Sequence, residues 1–434
     1  MANQYLIHEK SLSFAAETTP CVPPVDWVAD GTPIEFVSVT LDGVKEELLV
    51  DPTAESRAFA VGNRTRRKGR RNGTFSVVLK QHGTGVVTDD AATVEQTYLG
   101  TLWEHCLGGV HLGTSHKISA TPGTATVPIL NSVDGIVPGC MLAFEDTSTP
   151  SSKYDGFPVC RRVLAVNAMT MAVTLSEALP WAPAEDDPVH ACITAYLSAH
   201  TLRDAVAAGG LMSWYVRLGD TEALNYELQG CVANAKLEGL SPGGLPTFSL
   251  ECMNAYFRNG AADGLTDIPD LGEPQGKPQL SMSLDVSLSI QEVGNTAVNE
   301  VDANAITFEP GIARSKVETV TGKTQHFHGL ATYSVTPNQT KLTCTLASFT
   351  NEWWAGLSLD RRYRITLTQP GAGAGAGSGF CVHIPNARLV ETPGRADVGD
   401  NHGVTLSFEA SESNDTTGGS NVDLQKSRFL IAMF

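Results

Sequence analysis

Alternation of hydrophobic and polar residues is the main pattern along this chain, and it predicts β-strands. The longest alternation runs from Leu280 to Ile290, with a hydrophobic side chain at every second position. One face of that strand must be buried, while the other face is polar or small. Further strands are predicted at 34–41, 74–79, 211–218, 341–346 and 363–367. The chain is therefore predicted to be mainly β.

One segment has clear helical spacing. Thr93 and Gln96 have the spacing of a capping box, and Gly108-Gly109 ends the segment. The hydrophobic residues recur at helical intervals: Val94, Tyr98, Leu102, Trp103, Cys106 and Leu107. This stripe predicts a helix whose tryptophan belongs to the core. Short helices are also expected at 198–208 and 351–357.

The second half of the chain repeats landmarks of the first half in the same order. Cys231-Val232 precedes Asn234-Ala235, and Cys381-Val382 precedes Asn386-Ala387, which lies 152 residues further on. In both halves a Trp-bearing helix and a Tyr-bearing strand precede this signature, and a Pro-Gly turn and an alternating strand follow it. A fused duplicate of one β-rich domain explains this order. Symmetric assembly is the commonest use of such a pseudo-symmetric building block.

Composition shifts and turn signals divide the chain further. Residues 114–198 contain short strand-like runs between Gly, Pro and Asn turns, which is typical of a small antiparallel barrel or sandwich. The C-terminal residues 429–434 are apolar and need cover, either from their own chain or from a neighbour. The predicted organisation is a first domain at 1–113 with 199–262, an inserted β domain at 114–198, a linker at 263–279, a second domain at 280–413 and a C-terminal arm at 414–434.

Composition places the chain among globular proteins. Its hydrophobic content is 42%, and no apolar run approaches the roughly 20 residues that span a bilayer. Residues 1–4 lack the pattern that begins a signal peptide. The nine cysteines are scattered singly without a CxxC pair, so we expect buried, reduced thiols and folding in a reducing cytoplasm.

The chain is acidic, with a net charge of −17, but its bases are unevenly distributed. One cluster contains six bases and no acid: Arg64, Arg66, Arg67, Lys68, Arg70 and Arg71. Three interpretations fit this basic loop: a solvated surface, a contact with an acidic patch on another copy of the protein, and a contact with nucleic acid. We favour the inter-subunit contact because the rest of the chain has 24 bases against 47 acids, and arginine suits bidentate carboxylate contacts. Tight nucleic-acid binding needs a broad basic face, which this composition does not supply.

The sequence lacks recognisable signatures of catalysis. No HExxH motif occurs, and the glycine run at 371–379 matches neither a phosphate loop nor a dinucleotide fingerprint. The residues GLSPG at 239–243 fit the letters of GxSxG, but they contain the Pro-Gly turn before an alternating strand and not the strand-to-helix turn that this motif requires. His326 and His328 would share one strand face, but no third metal ligand is nearby. His105-Cys106 and His190-Ala191-Cys192 have no identifiable partner that would orient a thiol-activating histidine. We therefore predict no catalytic, cofactor-binding or metal-binding residue, and no enzyme.

The order of motifs after the basic cluster suggests a family. The cluster is followed by the strand-like run GTFSVVL at 73–79 and by the helical segment LGTLWEHCLGG at 99–109. A strand, a Pro-Gly turn and an alternating strand come later. In pattern and order this chain resembles the tail tube proteins of tailed bacteriophages. The resemblance covers 35–110 and 199–257 in the first copy and 280–413 in the second, with 114–198 outside the common core.

The resemblance implies two tandem β-sandwich or partial-barrel domains, each with a short helix, and the small inserted β domain on the exterior. Single-domain members form rings of six copies, so a chain with two copies is expected to be a homotrimer that forms a pseudo-hexameric ring. Stacked rings would form the tail tube of the virion, assembled in the host cytoplasm. The implied partners are further copies of the chain, the tape measure, tail terminator and tail tip proteins, and DNA that passes through an acidic lumen without specific binding. No cofactor and no membrane are expected.

Other function classes stay open from the sequence. A baseplate or receptor-binding tail protein would use the 114–198 module to hold a cell-surface ligand. A glycoside hydrolase would need two carboxylates facing one cleft, and the aromatic content of 7% gives that class little support. A capsid or connector protein is a further structural alternative, and a connector would need long helices.

Overall fold

The computed structural model describes residues 10–50, 66–84, 91–147, 157–198, 210–219, 224–241, 243–260, 263–268, 270–272, 286–295, 299–318, 330–348, 352–369, 379–398 and 401–434. Within these ranges the protein is mainly β, as the alternation predicted, with 27 strands and four short helices. The helices are α1 (Trp27–Asp30), α2 (Tyr98–Leu107), α3 (Glu352–Ser358) and α4 (Val422–Lys426).

The described strands range in length from two residues to 17. The strands before the second half of the chain are β1 (Lys10–Ala16), β2 (Thr32–Pro33), β3 (Ser38–Thr40), β4 (Lys45–Val50), β5 (Arg66–Lys80), β6 (Gly108–Leu112), β7 (His116–Gly123), β8 (Pro128–Leu130), β9 (Met141–Phe144), β10 (Val159–Asn167), β11 (Ala172–Leu175), β12 (Pro188–His190), β13 (Ile193–Leu197), β14 (Met212–Leu218), β15 (Leu224–Leu240), β16 (Thr247–Asn254) and β17 (Tyr256–Asn259). The later strands are β18 (Ser287–Glu292), β19 (Ala303–Glu309), β20 (Ile312–Glu318), β21 (Leu330–Pro337), β22 (Lys341–Leu346), β23 (Arg362–Gln369), β24 (Phe380–Leu389), β25 (Gly394–Val398), β26 (Asn401–Ala410) and β27 (Leu430–Met433).

Two groups of strands pair in the same order. The first unit is the antiparallel series β1, β14, β15, β16, β5 and β3. The second unit is the antiparallel series β18, β23, β24, β26, β22 and β19. In both units the long strand that carries the Asn-Ala signature pairs at its beginning with a later closing strand, β17 or β27. The strand order therefore agrees with the duplication inferred from the sequence.

One residue from each of seven neighbouring strands lines up in a single row across both units. The cross-strand partners, in order, are Leu389, Phe408, Leu342, Phe308, Leu237, Phe248 and Leu79. Each of these side chains is at most 5% exposed, so this apolar row runs through the common core. Burial of one such side chain stabilises the fold by roughly 1.5–3 kcal/mol. Each unit contributes one Leu-Phe-Leu triplet, and Phe308 joins the triplets by pairing with Leu237.

A tryptophan from the short helix of each unit packs on the phenylalanine of its triplet. The ring centroids of Trp103 and Phe248 are 4.3 Å apart, and those of Trp353 and Phe408 are 6.5 Å apart. The Trp103 indole also donates a hydrogen bond to Gln81 Oε1 at 3.1 Å, which satisfies its only polar atom. Both predicted Trp-bearing helices are thus present, and both occupy the same position over the sheet.

The beginning of α2 differs from the prediction. Thr97 is its N-cap, and the Thr97 hydroxyl accepts a hydrogen bond from the backbone N of Gly100 at 3.2 Å. Thr93 instead forms an isolated β-bridge with Thr114, so the proposed cap at Thr93 is wrong. The end at Gly108 is as predicted, because that residue adopts φ 89°, a left-handed conformation that favours glycine.

Strands β7 to β12 form a closed six-stranded barrel in the order β10, β11, β8, β7, β12, β9. Closure leaves this module without open strand edges. Its core includes Leu130, Leu142, Phe144, Val163 and Val173, each at most 1% exposed. The following strand β13 falls within the predicted insertion at 114–198 but pairs with β6 and β27 of the large sheet.

The C-terminal segment completes the large sheet. Strand β27 pairs with β13 on one side and with β24 on the other. Residues 430–434 are at most 2% exposed. The apolar terminus is therefore covered by its own chain, which was one of the two alternatives left open by the sequence.

The long alternation at 280–290 lies partly outside the described residues, and its described end forms β18. Leu288 and Ile290 of this strand belong to the apolar core, as predicted. Ser289 and Gln291, on the opposite face, are also buried, at 3% and 2% exposure. The resemblance to tail tube proteins would place the polar face of this strand in the lumen, and that expectation is wrong for the described part of the strand, because other parts of the chain cover it.

The acidic linker predicted at 263–279 packs on the first unit over its described residues. Leu265 and Leu271 are buried and belong to one cluster with Trp27 and Tyr215. These contacts cover the outer face of β1 and β14. The described linker residues therefore form part of the first unit and are not a free spacer.

Candidate assembly surface

The two units meet along a sheet junction inside the chain. Strand β19 of the second unit pairs with the end of β15 of the first, with Phe308 opposite Leu237 and Ile306 opposite Leu240. All four side chains are at most 5% exposed. The junction therefore hides two strand edges that would otherwise present unpaired backbone groups.

Each unit also carries a hairpin arm. The first arm consists of β4 and the first half of β5, and the second arm consists of β20 and β21. Both arms follow the outermost strand of their unit, β3 or β19, and both precede the unit's Trp-bearing helix. The arms are therefore equivalent in topology.

The second arm reaches across the junction and docks on the first unit. Arg314 of β20 is 4% exposed, and its Nη2 donates to the carbonyl oxygens of His105 at 2.7 Å and Cys106 at 3.0 Å. These carbonyls end α2, where the last turn lacks backbone donors and the helix dipole favours a cation. The backbone N of Arg314 donates to Asn234 Oδ1 at 3.2 Å. Burial lowers the pKa of the guanidinium, so the site depends on these acceptors.

Tyr333 supplies a second anchor for this arm. Its hydroxyl donates to the carbonyl oxygen of Gly230 at 2.5 Å, and its ring packs in a cluster that includes Cys21 and Val232. Gly230 has φ 61°, and a Cβ there would lie 2.2 Å from Cys21 Sγ. A glycine is therefore required where the second arm contacts β15.

The predicted inter-subunit bases lie on the first arm. Arg66, Arg67, Lys68, Arg70 and Arg71 belong to β5, and Arg64 lies outside the described residues. The interpretation of this cluster as a loop is wrong, because the segment pairs with β4 from Arg66 opposite Val50 to Arg71 opposite Glu46. The five described bases are therefore concentrated on a hairpin arm.

Arg71 is the member of the cluster whose side-chain contacts are described. Its Nη1 lies 2.5 Å from Asp263 Oδ2, and its guanidinium lies 5.8 Å from the centre of the Phe257 ring. Both partners belong to the same chain, so Arg71 anchors the base of the first arm to its own unit. An inter-subunit contact by the other five bases stays a prediction.

A buried ionic cluster joins the barrel to the second unit. Arg162 of β10 and Arg364 of β23 both pair with Asp415, at 2.7 Å and 3.3 Å. Thr366 of β23 donates to Glu177 Oε1 at 3.0 Å. Arg162 and Arg364 are at most 5% exposed, and buried charges are destabilising unless they are paired. These contacts favour one placement of the barrel on the sheet and cover the polar face that includes Ser289.

The His105-Cys106 pair considered for thiol chemistry lacks an activated thiol. Burial raises the pKa of Cys106 to about 12, and burial together with nearby Arg314 lowers the pKa of His105 to about 3. An attacking thiolate needs the opposite shift of the cysteine. His190 does have an orienting carboxylate, Glu145 Oε2 at 2.7 Å, which the sequence could not reveal across 45 residues. The Cys192 thiol points to the backbone carbonyl of His190, at 3.9 Å.

An open groove of about 760 Å³ lies beside the second arm. Its charged lining residues are Lys236, Glu251, Glu309 and Lys341. Lys236 pairs with Glu309 at 3.8 Å, and no aromatic side chain on which a sugar ring could stack is among the described lining residues. The groove has the character of a solvated cleft at the junction between the units.

In the described ranges, no three or more His, Cys, Asp or Glu side chains converge on a point that could hold a metal ion. His326, His328 and the glycine run at 371–378 lie outside them. Among the described helices, none combines the length and apolar character needed to cross a membrane. The nine cysteines are all buried and free.

Comparison with known proteins identified no relative. No protein-family model matches the chain, and a search of curated proteins found no match. Function must therefore be inferred from the two units, their junction and their arms.

Proposed function

We propose that the protein is a structural virion protein that polymerises as stacked rings into the tail tube of a tailed bacteriophage. The observation that carries this proposal is the junction, where a sheet edge and a hairpin arm of one unit dock on an equivalent unit. A contact of this kind is heterologous, and heterologous contacts give closed rings when their rotation closes. Three chains would supply six units, which gives a homotrimer with a pseudo-hexameric ring.

The charge of the chain supports a conduit for DNA. The net charge is −17, and the outward faces of β16 and β26 carry Glu251 and Glu409 beside serines and threonines. Repulsion between two close like charges in water is only about 1 kcal/mol. A DNA duplex carries one charge per roughly 1.7 Å of its axis, so many weak repulsions would prevent it from binding to the wall during genome ejection.

The proposal also includes a role for the barrel and further protein partners. The barrel would decorate the exterior of the tube, because the ionic cluster holds it on the side of the second unit away from the apolar core. The tape measure, tail terminator and tail tip proteins would be partners in addition to further copies of the chain. Assembly would take place in the host cytoplasm, and the protein would reside in the virion tail.

A baseplate or receptor-binding tail protein is the second candidate. The closed barrel favours it, because a closed barrel is a complete module that can present loops to a ligand without exposing strand edges. Met169, in the turn between β10 and β11, is 96% exposed and would be part of such a surface. This candidate predicts that the full chain binds glycans or host cells as a monomer.

Negative-stain electron microscopy of the concentrated protein tests the leading proposal. Rings or tubes are the expected result, and their diameter should not change with the salt concentration, because buried contacts hold the units together. Persistent monomers at every concentration, with no rings or tubes when the tail tip is added, would contradict it. Glycan or cell binding by such monomers would then favour the receptor-binding role.

A further inference from the structure

The Trp-bearing helices of the two units differ in what covers their ends. Trp103 of α2 and Trp353 of α3 pack on equivalent phenylalanines, and each helix contacts the strand that carries the Asn-Ala signature of its unit. The second arm covers the end of α2, where Arg314 binds the last carbonyl oxygens. The end of α3 has no such cover among the described residues, although it occupies the equivalent place in the second unit.

Two large hydrophobic side chains are exposed at the end of α3. Trp354 is 43% exposed, and Leu359, just beyond the helix, is 65% exposed. In α2 the residue after the core tryptophan is Glu104, whose charge suits a position that faces water. Exposed hydrophobic side chains grouped on one short segment often mark an interaction surface. The end of α3 is therefore a candidate contact surface that α2 lacks.

A buried acceptor without a donor lies on β24, the strand that α3 contacts. In the first unit, Asn234 Oδ1 accepts the backbone N–H of Arg314 from the second arm at 3.2 Å. Asn386 holds the equivalent position, because each asparagine lies three residues before the leucine that pairs with the core phenylalanine. Asn386 Nδ2 donates to the carbonyl oxygen of Glu412, but its Oδ1 is buried without a partner among the described residues. Such an acceptor is destabilising until a donor reaches it.

The first arm has the composition to cover this surface. It is equivalent in topology to the second arm, and its strand β4 pairs with β5 alone among the described strands. Strand β4 ends in the apolar run Leu48-Leu49-Val50, and β5 begins with the bases of the cluster. Apolar residues suit a surface that exposes Leu359, and an arginine guanidinium binds favourably over a tryptophan ring such as that of Trp354.

We propose that the first arm of one chain docks on the end of α3 and on Asn386 of the next chain. This inference rests on the proposed ring and identifies the surface that receives the basic arm. The occupant is a second copy of the protein, because the chain already contains the same arrangement once, with the second arm on α2 and Asn234. A backbone N–H of the docked arm then satisfies Asn386 Oδ1.

The contact at α3 differs from the contact at α2 in one respect. The carbonyl oxygens of Ala355 and Gly356 occupy the positions of the two carbonyls that the second arm binds in α2. They accept the backbone N–H groups of Leu359 and Arg361. These carbonyls therefore need no buried arginine from an arm. Hydrophobic contact with Trp354 takes the place of that arginine, which explains why the exposed tryptophan belongs to α3 and not to α2.

Two aspartate variants with matched exposure test the proposal. Trp354 is 43% exposed and Met171, in a turn of the barrel, is 42% exposed, so Trp354→Asp and Met171→Asp should both leave the monomer folded. Mass photometry and negative-stain microscopy would measure assembly at the same protein concentrations. We expect Trp354→Asp to raise the concentration needed for assembly about tenfold or more, because docking would bury an unpaired charge. Met171→Asp should assemble like the unchanged protein.

A photo-cross-link gives a second measurement that does not depend on the folding of the aspartate variant. Leu359 is replaced with benzoylphenylalanine, and the protein is assembled from a mixture of unlabelled chains and chains labelled with heavy nitrogen. Mass spectrometry after irradiation identifies the peptide joined to position 359. We expect peptides from 45–71 of a differently labelled chain. The same replacement at Met169, which is 96% exposed on the barrel, should not give these peptides.

The outcomes separate the arm contact from the ring itself. Assembly of Trp354→Asp at the same concentration as Met171→Asp would overturn the inference and leave the ring proposal standing. The same holds if position 359 of the assembled protein forms no cross-link to 45–71 of another chain. Failure of the unchanged protein to assemble would overturn both.

Discussion

Replacing Phe308 with alanine is the most informative perturbation of the monomer. Phe308 is fully buried, with Leu237 of the first unit on one side and Leu342 of its own unit on the other. Its ring also lies 5.1 Å from the ring of Phe429, which precedes the C-terminal strand. The substitution therefore removes one side chain that belongs to the contacts of both units and of the C-terminal segment.

The size of the effect follows from the burial of this side chain. An aromatic side chain buries roughly 150–250 Å². At about 25 cal/mol per Å² the burial of the whole side chain contributes about 4–6 kcal/mol, and this is an upper limit because unfolded chains are partly compact. Alanine keeps part of that contribution but leaves a cavity, and measured Phe→Ala changes in protein cores are about 3–5 kcal/mol. We expect a loss of the same size in the free energy of unfolding.

Equilibrium denaturation followed by fluorescence would measure this loss, with Leu359→Ala as the control. Leu359 is 65% exposed, and its replacement should change the free energy of unfolding by less than about 0.5 kcal/mol. Hydrogen exchange should show reduced protection in β15 and β22 together, because Phe308 joins the two units. A loss below about 1 kcal/mol, or reduced protection in the second unit alone, would refute the idea that the apolar row couples the units.

Three further predictions concern other parts of the molecule. Arg314→Ala should lower the free energy of unfolding by about 2–4 kcal/mol, because it leaves two helix-end carbonyls buried without donors. The control Arg395→Ala, at a side chain that is 71% exposed, should change the free energy of unfolding by less than about 0.5 kcal/mol in the same denaturation assay. Burial lowers the pKa of His82 to about 4, so the folded protein binds fewer protons than the unfolded chain between pH 4 and pH 6.5. The free energy of unfolding should therefore fall as the pH decreases from about 6.5 to about 4. A denaturation midpoint that does not change over this range would contradict the prediction. Deletion of residues 430–434 exposes the edges of β13 and β24 and removes hydrophobic burial that contributes on the order of 8 kcal/mol, which is comparable with the whole stability of a domain. Circular dichroism and gel filtration should therefore show an unfolded or aggregated protein. A soluble, folded deletion variant would contradict the role of β27.

The sequence predicted secondary structure correctly where the spacing of hydrophobic residues matches the repeat of a strand or a helix. The alternation in β22 and β16 and the stripe around Trp103 predicted the correct elements, because each has one buried face. The repeated Asn-Ala signature also predicted equivalent strands, since both copies bring a leucine three residues later, Leu237 and Leu389, into the apolar row. Local patterns of this kind depend on neighbours that are close in sequence.

Features that depend on distant residues were not predictable. The two tyrosines used as landmarks are not equivalent, because Tyr215 pairs with Glu227 before its signature and Tyr363 pairs with Ala387 within its own. A bulge in each strand pair shifts the register, and single-sequence spacing cannot show a bulge. The basic cluster was interpreted as a loop because its charge density hides the strand pattern.

The contacts that define the candidate assembly surface were also invisible in the sequence. Arg314 lies 208 residues from Cys106, whose carbonyl it binds. Nothing in the sequence around Arg314 differs from an ordinary exposed strand. Its role depends on the contact between the second arm and the first unit, which no local pattern encodes.

Cryo-electron microscopy of the assembled protein would test most directly whether the internal junction recurs between chains. We expect rings of three chains. In these rings, the rotation between the two units of one chain should equal the rotation between neighbouring units of adjacent chains, roughly 60° in each case. An arm of one unit should dock on the next unit at all six boundaries. An assembly whose chains meet through the barrel, or without a contact between the first arm and the second unit of the next chain, would contradict this prediction.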